Sequence, residues 1–109
     1  MAKQRFLEKN YRQNPWFRQL CRAFLSCKTE AQLADLWRDV ATLAELQALS
    51  ERLEVASLIA EGRTYREVTQ KTGASTTTVT RVASFLREGS GGYRRVVKKH
   101  HRNQSSPAS

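Results

Sequence analysis

A chain of 109 residues, 39% hydrophobic and 27% charged, has room for one small domain and little for a large catalytic pocket. Its formal net charge of +9 favours a polyanionic partner. No apolar run reaches membrane-spanning length and the start, MAKQRFLEKNYRQNPW, is polar, so neither a membrane anchor nor a signal peptide is expected.

The charge is unevenly spread. Met1 to Lys28 carries seven Lys/Arg against Glu8, and Thr29 to Gly62 carries only Arg38 and Arg52 against seven acids. From Arg63 onward, ten basic residues face Glu67 and Glu88. Such an excess can simply solubilise a small domain. Its concentration at one end points instead to nucleic acid. Cys21 and Cys27 form no CxxC pair, and six residues of helix set them apart in direction, which argues for a reducing compartment and against zinc. The adjacent His100 and His101 have no companion ligands, so no metal and no cofactor is expected.

Residues 1–13 read as a flexible basic arm. Asn14-Pro15 then starts a first helix, with Asn as cap and Pro at the first position, and Trp16, Leu20, Ala23, Phe24 and Cys27 as its apolar stripe. Thr29 caps a second, whose stripe is Leu33, Leu36, Trp37 and Val40. Thr42 with Glu45 opens a third, running to about Ala60 and closed by Gly62. Leu46, Leu49, Leu53, Ala56 and Ala60 line one side of it, while Leu43, Val55, Leu58 and Ile59 fall elsewhere. A helix apolar on several sides is a central one. So short a chain has little with which to cover it, so a second copy is expected to do so through interlocked N-terminal helices; a compact monomeric bundle is the alternative.

Thr64 to Leu86 reads as two short helices about a tight turn. Thr64 and Glu67 make a capping box, Gly73 supplies the left-handed stop, and Ser75 caps the next helix. The inner face of that helix is Val79, Val82, Ala83 and Leu86. Its other face carries Thr76, Thr77, Thr78, Thr80 and Arg81, small hydroxyls and a guanidinium able to approach base edges and phosphates. This is a helix-turn-helix whose second helix reads DNA. Ser75, Thr76, Thr77, Thr78 and Thr80 are the candidate base contacts. Arg63, Tyr65, Arg66, Lys71 and Arg81 are the candidate phosphate contacts. The bland alternatives are a threonine run kept for capping and a solvated basic face. Gly89-Ser90-Gly91-Gly92 then reads as a hinge, and Tyr93 to Arg102 as a short basic helix packing through Tyr93, Val96 and Val97. The expected organisation is therefore an arm (1–13), a helical dimerisation core with the helix-turn-helix (14–88, the motif at 64–88), and a hinge with a basic tail (89–109).

The stretch RLEVASLIAEGRTYREVTQKTGASTTTVTRV, Arg52 to Val82, followed by the GGY of residues 91–93, resembles the Trp-repressor superfamily and most of all its TrpR-like YerC/YecD branch. The resemblance implies an all-α, intertwined homodimer with a reader head at each end, acting on double-stranded DNA in the bacterial cytosol or nucleoid. It also implies an effector pocket at Arg52 and Arg81, the positions matching two arginines that sandwich tryptophan in the tryptophan repressor. Val82 and Phe85 stand where that repressor has a Gly and a Ser, and their bulk is expected to fill an indole slot. Arg52 paired with an acidic neighbour, and Arg81 on phosphate, is the plainer reading.

The function expected is that of a sequence-specific transcriptional repressor. A sequence-indifferent nucleoid-type DNA- or RNA-binding protein and a tryptophan-responsive repressor are the alternatives. No catalytic arrangement of Ser, His, Cys or paired carboxylates sits on ordered elements, so an enzyme is not expected.

Overall fold

The helices begin where the caps lie. The Trp16 N–H donates to Asn14 Oδ1 at 2.8 Å and Pro15 takes the first helical position, which starts α1, Pro15–Ser26. The Gln32 N–H donates to the Thr29 hydroxyl at 3.1 Å and starts α2, Glu30–Val40. α3 spans Leu43–Ala60, α4 Tyr65–Thr72 and α5 Thr76–Glu88. A further helix, α6, is described over 92–97. The structure is a computed structural model describing residues 5–97. The end of the expected basic tail, with Lys98, Lys99, Arg102 and the two histidines, lies outside the described residues. The all-helical class read from the sequence is what the structure has: no strand occurs among the described residues.

The chain divides into two compact units between Thr42 and Leu43, inside the stretch read as a single core. The front unit holds α1 and α2. Its expected arm carries, over the described part, a short 3-10 turn at Tyr11–Gln13. Aromatic edges tie that turn down: Phe6 and Tyr11 meet the Phe17 ring at centroid distances of 6.2 and 5.2 Å. Phe24 of α1 meets Trp37 of α2 edge-on at 4.5 Å. Even so, no residue among 5–42 is buried, and Trp16, Leu25 and Val40 are 61%, 83% and 52% exposed.

The second unit has the core. Val55, Ala56, Leu58, Val68, Ala74, Val79, Val82 and Val97 pack together, with Ile59 and Tyr93 against them. Four consecutive residues of α3, Val55 to Leu58, are buried, so this helix is enclosed all round at its C-terminal end. Ahead of that end, Leu43, Leu49 and Leu53 are exposed in the single chain, where the sequence reading expects cover from a second copy. α4 and α5 pack on α3, whose buried residues are confined to Val55–Leu58. α3 ends in a Schellman motif, with Arg63 N–H donating to the Leu58 carbonyl and Gly62 N–H to that of Ile59. In α6, Tyr93 and Val97 face the core one turn apart, whereas Val96, expected to join them, is exposed.

Candidate nucleic-acid interface

Local chemistry fixes the angle between α4 and α5. The Thr64 hydroxyl accepts from the Glu67 N–H at 3.1 Å while Glu67 Oε1 accepts from the Thr64 N–H at 2.9 Å, a complete capping box. Thr64 stabilises the Glu67 carboxylate, through its backbone N–H first and its hydroxyl second, and holds that carboxyl below its ordinary range; Arg63 and Lys71 act the same way. Gly73 then takes φ +77° and its N–H closes on the Thr69 carbonyl at 2.9 Å. The Thr72 hydroxyl donates back to Val68 O and accepts from Ala74 N–H, so the turn is bonded on both sides. Ala74, 5% exposed, plugs the turn into the core. α5 must leave in a new direction.

The candidate base contacts separate into two groups. Ser75 Oγ accepts from the Thr78 N–H and donates to Thr78 Oγ1, both at 3.1 Å, so these two hydroxyls are engaged in the cap. Thr76, Thr77 and Thr80 are exposed, and among the described residues nothing binds their hydroxyls. With Arg81, Ser84 and Phe85 they line one shallow groove along the outer face of α5. Beneath that face, Val79 and Val82 anchor the helix at 0% and 2% exposure. A row of small donors and acceptors thus rides on a rigid support, the arrangement that base-edge readout requires.

The candidate phosphate contacts also differ among themselves. Arg66 and Lys71 on α4 and Arg81 on α5 are exposed and have no ion-pair partner among the described residues. Tyr65 is 42% exposed at the first position of α4. Arg63 is held between two carboxylates, 3.4 Å from Glu61 and 3.8 Å from Glu67, so it supports the cap of α4.

Arg52 and Arg81, paired in the sequence reading as an effector site, do line one cleft. Thr77, Thr78, Val82, Phe85, the 89–92 loop and Tyr93 complete its walls, and its volume is about 450 Å³. The expected filling by Val82 and Phe85 is incomplete: Val82 is turned into the core, and Phe85 lies along the wall with the Arg81 guanidinium carbon 5.7 Å from its ring centroid. Arg52 makes no ion pair among the described residues. Sequence reasoning missed Ser84 and the loop as parts of this surface, and it missed the contact of Phe85 with Arg81. The i,i+4 spacing of Arg81 and Phe85 was the available signal. α5 closes with the Gly89 N–H on the Phe85 carbonyl at 2.8 Å, and a Cβ at Gly89 would run into that oxygen.

Comparisons with known proteins agree on one family. Residues 16–101 match the Trp repressor protein family. The protein YerC of Bacillus subtilis is 34% identical over 91 residues, covering 84% of this chain and 88% of its own length. A TrpR-like protein from Eubacterium eligens, solved by crystallography, superposes with a TM-score of 0.80 at 40% identity, over 84% of this chain and 95% of that one. A Staphylococcus aureus structure gives the same TM-score at 29% identity, over 88% and 96%. No helix among the described residues is long and apolar enough to cross a membrane.

Proposed function

Because this chain belongs to the Trp repressor protein family, in its TrpR-like YerC branch, we propose that it is a sequence-specific, double-stranded DNA-binding transcriptional repressor acting as a homodimer. The observation that carries the reading is the outer face of α5, where Thr76, Thr77 and Thr80 stand free beside Arg81 on a helix anchored by Val79 and Val82. On this reading α5 enters the major groove. Threonine methyls meet thymine methyls, and the hydroxyls bond base edges directly or through water. Arg66, Lys71 and Arg81 take phosphates, which makes affinity fall with salt by roughly one log-log unit per neutralised phosphate.

The dimer follows from the unburied front. A unit with two amphipathic helices and no buried residue among 5–42 calls for apolar cover, as does an α3 that exposes Leu43, Leu49 and Leu53, and a second copy has matching apolar faces to give. Paired heads at a fixed separation then read two half-sites.

Selection of bound duplexes from a random pool tests the proposal: a two-fold symmetric motif is expected, and recovery of no motif would favour a sequence-indifferent packaging protein. In direct titrations Arg66→Ala lowers affinity for all sequences alike and flattens the salt dependence, whereas Thr77→Ala changes base preference. An Arg66→Ala variant with unchanged affinity and salt slope would refute the docking. The open cleft between Arg52 and Arg81 favours a second reading, a repressor that responds to tryptophan. Equilibrium dialysis against tryptophan decides it, and absence of uptake retires it.

A further inference from the structure

We propose that Phe85 is a positioning residue for Arg81: its ring holds the guanidinium ready for a DNA phosphate, so the reader helix presents that cation with no small molecule bound. The inference rests on the duplex-DNA reading above and adds to it how that surface is kept competent.

Arg81 and Phe85 lie one turn apart on α5, and the guanidinium carbon is 5.7 Å from the ring centroid. Among the described residues no carboxylate pairs with Arg81. The ring is therefore the group that orients it. An aromatic ring engages the flat face of a guanidinium and leaves its N–H edge free. A carboxylate in the same place would consume those donors and cancel the charge. Phosphate is bound through the edge, so the two contacts are compatible rather than competing.

The placement of Phe85 is otherwise hard to account for. It is 47% exposed on a helix face made of threonines, serine and arginine, while the core takes Val79, Val82 and Ala83 from the opposite face. Phe85 belongs to both the outer groove and the cleft, at the edge where Arg81 passes from one to the other. An unheld arginine gives up side-chain freedom when it meets phosphate. One already laid on a ring gives up less, and the saving applies equally at every DNA sequence.

The test is a double-mutant cycle on duplex DNA in titrations without added small molecules, using wild-type, Phe85→Leu, Arg81→Ala and the combination. Leucine keeps apolar bulk and removes the ring. The expected loss for Phe85→Leu is about two- to five-fold at every sequence, the range for an exposed cation–π contact. In the Arg81→Ala background the same substitution has no further effect, and Phe85→Trp restores wild-type affinity in the single variant. Circular dichroism and sedimentation of each variant check that fold and assembly are intact. Equal losses from Phe85→Leu with and without Arg81, in proteins that still bind, overturn the inference and leave the DNA reading standing. A wild-type protein that fails to hold duplex DNA even at low salt overturns both.

Discussion

Replacing Val79 by alanine separates what holds the reader helix from what reads. Val79 is 0% exposed, on the inner side of α5 between the turn and Val82. The substitution removes two buried methyl groups, worth roughly 1.6 kcal/mol in transfer free energy at about 0.8 kcal/mol each. Val79 shares its buried cluster with Val55 and Val68, both fully buried on other helices, and such elements relax only in part around a hole. With that cavity the loss is roughly 2–3 kcal/mol. For a domain of this size each kcal/mol lowers Tm by about 4–8 °C, so a fall of roughly 10–20 °C is expected. The assay is thermal unfolding followed by circular dichroism at one fixed protein concentration, since association would shift Tm by mass action. Thr80→Ala, one residue on and exposed, is the internal control: alanine has the higher helix propensity, so stability holds or rises slightly. If Val79→Ala moved Tm by no more than Thr80→Ala does, the inner and outer faces of α5 would be wrongly assigned.

Two further outcomes follow from the same geometry. The Glu67 carboxyl titrates below its ordinary range, so its contribution to the head is complete above the unfolded value of about 4.3 and fades as pH falls through the lower folded one. Glu67→Gln keeps an acceptor for the Thr64 N–H, and the protection of the Thr64 amide relative to its intrinsic exchange rate should then lose its acid-induced fall; an unchanged fall would mean that Glu67 protonation is not what releases the cap. Leu49→Glu puts a charge on the exposed apolar side of α3; on the proposed pairing of copies, sedimentation velocity at micromolar concentration should show dimers for the wild type and protomers for the variant. Dimers that persist would place the contact between copies elsewhere.

Features governed by neighbours along the chain are legible in the order of residues alone. Asn14-Pro15, Thr29, Thr64 with Glu67, Gly73 and Ser75 each satisfy backbone groups within four residues, so their spacing announces them. Burial in α3 is legible only in half. The run of Leu, Val and Ala marks an apolar helix, but which turns are covered depends on where α4 and α5 land, and burial is reached only at Val55–Leu58. The candidate interface shows the same division. The threonine face is readable from its period, while the engagement of Ser75 and Thr78 in the cap depends on rotamers that a sequence does not specify. The Arg81–Phe85 contact had its i,i+4 spacing as a signal, whereas the placing of the 89–92 loop beside Arg52 depends on the three-dimensional path of the chain.

The absence of any buried residue among 5–42 reaches beyond architecture. If a second copy supplies the missing cover, the front helices acquire their stability only by pairing, and folding there becomes a bimolecular event. The population able to grip two half-sites would then climb with the square of supply while protomers are scarce. A modest rise in expression would be sharpened into a larger rise in operator occupancy, giving the protein a dosage threshold with no ligand involved.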